Sequence, residues 1–229
     1  RSSRPIANEY GSQYQPLEFE YGLIKRDFTP FTVEEQRMVE KWLTSPKISQ
    51  KLEITDCKGS VTDGFYCGKF ISTTWYPTGG GWDGLMFKFK NNTAYPMKHF
   101  EKVYNITGSG SITLECDTDE TEEYIYPIVT IKQSEAQTST VTITNTTDGS
   151  KKMSVLTRRN LPMIFDCQNC IPKDGTTSGI ISYKDLGWED VGNIYWLRLS
   201  VGTNRLLVNG TSEVTISYDY PFKKVGGWL

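Results

Sequence analysis

No stretch of the sequence approaches the roughly 20 consecutive apolar residues of a membrane-spanning helix, so a helical span is excluded. Basic residues are not in surplus: 25 Lys and Arg stand against 27 Asp and Glu, for a formal net charge of −2. Without a positive excess, net charge does not draw the chain to nucleic acid or to an anionic membrane. The doublets Lys151-Lys152 and Arg158-Arg159 read as solvated loop charges. Histidine is nearly missing. His99 is the only one, and it would have to serve any Ser/His or Cys/His nucleophilic arrangement. The five cysteines are odd in number and scattered, which argues against a disulfide framework and for a reducing compartment. The N-terminus, Arg1-Ser2-Ser3-Arg4-Pro5, has neither an apolar signal region nor an initiating Met, so we expect further chain upstream.

What is present is alternation. With 37 % hydrophobic and 13 % aromatic residues the chain is too apolar to be disordered, and its polar balance suits half-exposed sheets. One helix is expected over 32–45. Thr32 and Glu35 form a capping box, and Pro46 stops the helix. Met38, Val39, Trp42 and Leu43 fall on one face, which is expected to lie on a sheet with Trp42 buried. Period-two runs flank it at Leu17–Ile24, Lys51–Ile54, Phe65–Ile71 and Gly84–Lys90. Beyond about residue 97 no helix is expected. Turn clusters at 108–110, 117–119, 145–149, 172–175, 202–204 and 209–210 separate short strands, the spacing of an antiparallel sandwich. The expected fold is mainly β, with an α+β N-terminal part over 1–97 and a β-sandwich over 98–229. The C-terminal run is expected to contribute a strand at Ile194–Val201, a Gly202-Thr203-Asn204 turn, and a hairpin at Asn209-Gly210.

No motif in the chain carries strong catalytic or metal chemistry. Cys167-Gln168-Asn169-Cys170 lacks the second ligand pair that structural zinc needs, and it follows a strand where a redox motif would open a helix, so a hairpin turn is favoured. Thr78-Gly79-Gly80-Gly81-Trp82-Asp83-Gly84 lacks the Lys-Ser/Thr of a phosphate loop and reads as a connection. The acidic run Glu115, Asp117, Asp119, Glu120, Glu122, Glu123 does not have calcium-loop spacing and reads as solvated. Sequons begin at Asn91, Asn105, Asn145 and Asn209, and are taken as the product of a chain rich in Asn and Thr. Trp75, Tyr76, Trp82, Trp188, Tyr195, Trp196 and Trp228 could form a sugar-stacking platform, although core and rim packing is favoured. We therefore expect no catalytic residues, no metal and no cofactor.

A family resemblance runs over most of the chain. The C-terminal string Tyr195-Trp196-Leu197-Arg198-Leu199, Gly202, Asn204, Leu206, Val208 and Gly210 resembles the end of the distal tail proteins of long-tailed bacteriophages. Leu17-Glu18-Phe19, the helix from Phe31-Thr32 to Trp42-Leu43, the strand Gly84–Lys90 with Ala94-Tyr95-Pro96, and Ile164–Asn169 are similar to that family in order and spacing. The resemblance implies an N-terminal ring-forming β-sandwich with one helix and a C-terminal galectin-like sandwich, with the last dozen or so residues returning to the first domain. It also implies a structural virion protein, assembled in the host cytoplasm, of which six copies form a ring at the tail tip. That ring would join the tail tube to the tail-associated protein and anchor receptor-binding or baseplate proteins for host attachment. The chain starts later than the family's usual N-terminus and leaves no room for an inserted carbohydrate-binding domain. The alternatives are a carbohydrate-binding β-sandwich that contacts a cell wall directly and, more remotely, a glycosidase with two carboxylates in a cleft.

Overall fold

Alternating side chains become strands through both halves of the chain. The computed structural model describes residues 15–55, 61–78, 81–133, 139–157, 161–188 and 194–223. The architecture is mainly β with a single α-helix among the described residues, and the chain divides into two compact units after Pro96. Cys57, Gly79-Gly80, Arg158-Arg159, Trp228, the side chain of Trp82 and the final residues 224–229 lie outside the described residues, and with them the expected return of the C-terminus.

In the first unit four antiparallel strands run in the order β2-β3-β4-β1: β1 (Glu18–Ile24), β2 (Gln50–Thr55), β3 (Val61–Thr78) and β4 (Gly81–Asn91). β3 is long enough to pair with β2 through its first half and β4 through its second. The β1–β4 register sets Phe19 opposite Phe89, Tyr21 opposite Phe87 and Leu23 opposite Leu85. Period two therefore puts these six on one face and Glu18, Glu20, Lys88 and Lys90 on the other. Lys88 and Lys90 both reach Glu18, at 2.7 and 3.3 Å, on the charged face. On the apolar face Phe19, Tyr66, Phe70, Phe87 and Phe89 form a connected set of ring contacts with centroids 4.8–5.5 Å apart. Gly68 is needed where β3 crosses β4. A Cβ there would collide with the carbonyl of Lys90 and sit 2.8 Å from the Phe89 ring.

The helix α1 spans Val33–Thr44 with Thr32 as N-cap and Ser45 as C-cap, and the capping box is present. Glu35 N–H donates to Thr32 Oγ1 at 3.2 Å, and Thr32 N–H donates to Glu35 Oε2 at 2.8 Å. The expected inward face is wrong by about one residue in phase. Leu43 is 6 % exposed, but Trp42 is 72 % and Met38 63 % exposed. The stripe toward the sheet is Gln36, Val39, Glu40 and Leu43, spaced i, i+3, i+4, i+7. Glu40 belongs to it because its Oε1 accepts the Trp75 indole N–H of β3 at 2.7 Å, and Trp75 packs edge-on against Phe31. A carboxylate can face inward when an indole donor meets it.

The second unit, Met97–Lys223, is a sandwich. One sheet has the order β5-β13-β7-β10-β11, from Met97–Ile106, Ser212–Pro221, Ile128–Gln133, Met163–Asp166 and Ile171–Asp174. The other is β6-β12-β8-β9, from Ser109–Cys116, Gly202–Asn209, Thr140–Asn145 and Lys151–Leu156. Inward residues of both sheets, among them Ile112, Leu206, Val208, Val141, Val155, Ile131, Phe165 and Val214, close a single core. The only helical turn described here is a 3₁₀ turn at Lys184–Leu186.

Asn209-Gly210 is not a hairpin turn. β12 and β13 lie in different sheets, so Gly210-Thr211 is a corner that carries the chain across the sandwich, just as Thr107-Gly108 does between β5 and β6. The two corners lock together. Gly210 N–H donates to Gly108 O at 2.7 Å, and Gly108 N–H donates to Thr211 Oγ1 at 3.1 Å. Gly210 takes a φ of 108°, while Asn209 stays in the strand. Two further expectations shift. Ile194–Val201 is not a strand and contributes only an isolated bridge from Leu199 to Ile125, and β12 begins at Gly202 itself. Pro172–Asp174 is strand, with the turn falling just after it at 175–177.

Candidate functional site

The exposed apolar surface around α1 is the most unusual chemical feature of the first unit. Met38 and Trp42 are one helical turn apart, and Pro46 continues the line past the C-cap. Together with Lys41 and Ser45 they line a shallow, open hollow of about 490 Å³. Phe28, Val33 and Ile48 stand exposed along the same stretch of chain. Soluble surfaces carry single exposed apolar side chains routinely, but an exposed Trp beside Met and Pro marks a contact surface. A second hollow is lined by the charged residues Lys25, Arg26, Asp27 and Glu35. Lys25 reaches Glu35 at 2.6 Å, and its ammonium holds the Glu35 carboxyl below the usual carboxylate range.

In the second unit the densest polar constellation is centred on Asp148. Arg198 donates to both of its oxygens, Nε to Oδ2 at 2.8 Å and Nη2 to Oδ1 at 3.1 Å, while the Tyr195 hydroxyl donates to Oδ2 at 2.9 Å. Asn145 joins through Nδ2, which donates to Arg198 O at 2.8 Å, and through Oδ1, which accepts from Thr147 and Asp148 N–H. The Arg198 guanidinium lies 4.0 Å over the Tyr124 ring. Its charge lowers the Asp148 pKa, the pair raises that of Arg198, and burial pushes the Tyr195 phenol up to about 12. The lattice is closed on itself. The Asp148 and Arg198 charges are each spent on the other, and the Tyr195 hydroxyl keeps its proton and donates it to Asp148. It fastens the β8–β9 turn to the segment leading into β12.

The cysteine pair forms a β-turn. β10 and β11 pair as a hairpin with Asp166 opposite Ile171, and Asp166 accepts both the backbone N–H of Asn169 at 3.0 Å and its side-chain amide at 2.8 Å. Cys170 takes a positive φ of 56°. Cys167 is buried, and burial pushes its thiol up to about 12, so it stays protonated and packs as a small hydrophobe. The acidic run disperses: Glu115 Oε1 accepts from Thr203 at 2.6 Å, and Asp119 accepts the Lys223 N–H. His99 contacts Asp219 at 2.7 Å across the β5–β13 pair, on the exposed surface.

Two of the sequon asparagines turn out to be internal brackets. Asn91 is buried at the end of β4. Its Oδ1 accepts Cys67 N–H at 2.9 Å, and its Nδ2 donates to Thr93 O at 2.8 Å and Tyr95 O at 3.1 Å. Asn145 is equally buried, and so is Asn204, which grips Ser200 through its N–H and C=O. Asn105 and Asn209 are exposed. Of the aromatic candidates, Trp188, Tyr195 and Trp196 pack against the core of the second unit, and Trp75 is half-buried under α1; Tyr76 is exposed alone. The outward positions of β6, β12, β8 and β9 are chiefly Ser, Thr, Lys and Arg with Leu207 and Leu156, and no aromatic row is present among the described residues. Nor do these residues contain a group of three His, Cys, Asp or Glu placed to hold a metal, or a helix long and apolar enough to cross a membrane.

Comparison with known proteins gives two family matches end to end. Residues 1–93 match the model described as a phage tail protein N-terminal domain, and residues 95–218 match a phage tail C-terminal domain. No curated protein matches significantly. Among solved structures the chain is similar in fold to a chain of the phage P2 baseplate in its activated conformation with Ca. The TM-score is 0.51 at 12 % identity, over 95 % of this chain and 86 % of that one. A chain of the same baseplate with Sr gives 0.50 at 11 % identity, over 98 % and 87 %.

Proposed function

As this chain belongs to the phage tail protein family whose N- and C-terminal domain models it matches, we propose that it is the structural hub of a tail tip, a distal tail protein. In this reading six copies close a ring through their first units. The ring joins the tail tube to the tail-associated protein, and the galectin-like second units carry receptor-binding or baseplate proteins used for host attachment. The protein makes and breaks no bond, and it is assembled in the host cytoplasm before it is part of the virion.

The observation that carries the reading is that both halves of a two-domain tail protein are matched, in order and along nearly the whole chain. The fold likeness to a baseplate chain over nearly all of both chains is consistent with it. The chemistry agrees: polar clusters are closed on themselves, and the apolar surface left open is of the kind that docks subunits. A carbohydrate-binding module gains no support, because its expected aromatic row is missing from the described outer face of the β6-β12-β8-β9 sheet. The test is the mass of the purified full chain by sedimentation and light scattering, with electron microscopy of the tail. A closed assembly of about six protomers at the tube end supports the hub. A strict monomer at high concentration, absent from the tail tip, refutes it.

A further inference from the structure

The sandwich of the second unit is closed on one flank and open on the other. Five described strands face four. At the β11 margin the chain doubles back: Asp174 N–H donates to Gly179 O at 2.8 Å, and Ile181 N–H donates to Pro172 O at 2.9 Å. At the β9 margin of the facing sheet the Trp188 indole N–H donates to Ser154 O, and Ile181 and Leu186 are buried. The β5–β6 flank has no such cover among the described residues. The β5–β13 register sets Phe100 beside Tyr218, Lys102 beside Ile216 and Tyr104 beside Val214, all on the core face. Tyr218, Ile216 and Val214 are buried, yet Phe100 and Tyr104 are only half-buried and Lys102 is exposed. The Tyr104 hydroxyl is buried with no hydrogen-bond partner among the described residues, an unmet donor on the same flank.

β6 is the strand beside this gap, and its outer edge is unpaired. Gly210 N–H donates to Gly108 O, so along the β6–β12 ladder Gly110, Ile112 and Leu114 turn their N–H and C=O toward β12. Ser111 and Thr113 therefore point theirs away from β12, and β6 pairs with no other strand among the described residues. Exposed strand edges are ordinarily blunted by lysine, proline, a bulge or a covering loop. β6 has no lysine and no proline, and its register with β12 is unbroken.

We propose that this edge binds an extended segment of another tail protein, which adds as a further strand beside β6 and covers the half-buried rings of β5. The inference rests on the tail-protein reading above and names where a partner is held. Main-chain bonds to Ser111 and Thr113 supply affinity, and alternate side chains of the segment lie over Phe100 and Tyr104. Lys102, whose Nζ lies 5.3 Å over the Tyr104 ring, swings outward to admit it. The chemistry of the occupant follows. The segment is free of proline and apolar at every second position. It is basic at the end beside Glu115 and Asp117, which are exposed where β6 runs into the acidic stretch. The β6 edge of a second copy does not fit, because its Ile112 and Leu114 are already buried in its own core and cannot cover another chain's rings.

The experiment compares the purified full chain with the same chain in purified tails. Hydrogen exchange is read residue by residue along β6. In the free chain the Ser111 and Thr113 amides should exchange freely while those of Ile112 and Leu114 are protected, and in tails the first pair should gain about tenfold protection or more. A photo-crosslinking phenylalanine analogue at position 113, mapped in tails by peptide mass spectrometry, should join one segment of a different tail protein. That segment, made as a peptide, should bind the wild-type chain about tenfold more tightly than Thr113→Pro, which loses an outward N–H and no bond to β12. Circular dichroism checks that the variant folds; if it does not, exchange and crosslinking decide. Unchanged exchange of Ser111 and Thr113 in tails overturns the proposal and leaves the hub reading standing. So do crosslinks to this chain or another copy of it, or equal peptide binding by a folded Thr113→Pro chain. Absence of the chain from tails removes the tail reading and this inference with it.

Discussion

Leu43 and Trp42 are adjacent in sequence and opposite in environment, so a pair of alanine substitutions tests the geometry of α1 directly. Leu43 is 6 % exposed, facing β3. Buried Leu→Ala changes cost about 2–5 kcal/mol. The last turn of a helix can settle into part of the vacated space, so about 2–3 kcal/mol is expected. Trp42 is 72 % exposed, with little more than a quarter of it shielded. Losing that contact costs about 1 kcal/mol or less, and the better helix propensity of Ala returns about half a kcal/mol. Trp42→Ala should therefore change the stability of the unassociated chain by no more than about 0.5 kcal/mol. Native-state amide hydrogen exchange suits the question because it reads α1 and β3 separately from the second unit. Leu43→Ala should lower protection of their slowest amides about 30- to 150-fold, and Trp42→Ala by less than about threefold. The reverse order would mean that Trp42 is the buried residue after all.

The Asp148 lattice predicts an acid-dependent stability. Arg198 holds the native carboxyl low, so the unfolded chain binds the proton more readily. Its stabilisation is then complete above the ordinary carboxylate pKa of about 3.9 and is lost as pH falls through the native value. Asp148→Asn should cost the second unit about 1–3 kcal/mol near neutrality, with the gap to wild type closing in denaturation curves taken toward pH 2; a gap that persists there would contradict the assignment. Asn91→Ala leaves the Cys67 N–H and the Thr93 and Tyr95 carbonyls without their side-chain partner, and should cost about 2–4 kcal/mol, read as exchange protection in β3 and β4. A maleimide probe should label the exposed Cys170 rapidly in the native chain and leave the buried Cys167 unreacted until denaturant is added; prompt labelling of Cys167, followed by mass spectrometry, would refute its burial. Gly68→Ala should destabilise the first unit severely, because the clash is with the Lys90 backbone; a melting temperature within 2 °C or so of wild type would show that β3 and β4 do not cross there.

Features that depend on neighbours in sequence were legible. The capping box and the Pro46 stop gave α1 to within a residue at each end, because both rest on contacts three or four residues apart. Strands were located by alternation, and the turn at Cys167–Cys170 by the strand that leads into its Gln-Asn pair. Features that depend on what lies across the sheet were not. Nothing in the helix sequence says that Glu40 finds an indole N–H on β3, and that one bond rotates the inward stripe away from Trp42. Nor can an Asn-Gly pair announce whether the next strand returns to the same sheet. A corner and a hairpin make the same demand on glycine, and only the long-range pairing of β13 with β5 and β7 decides between them. The asparagine brackets were hidden for the same reason, since their partners are mostly backbone groups, some of them more than twenty residues away, and main-chain donors leave no mark in a sequence.

The two units therefore reach stability by different routes, and the difference bears on assembly. The second unit closes a core between two sheets and fastens its loops with polar brackets. The first has one sheet among its described residues, one helix over part of it, and rings left half in water. If covering those rings contributes free energy only on association, then stability of the first unit must rise with protein concentration while that of the second stays fixed. Mass action makes this quantitative. Raising the concentration a hundredfold through the association range should raise exchange protection in α1, β1 and β4 by up to a hundredfold, provided each protomer gains one such contact. Protection of β12 and β13 should not change. A first unit whose protection is independent of concentration would be complete as a monomer.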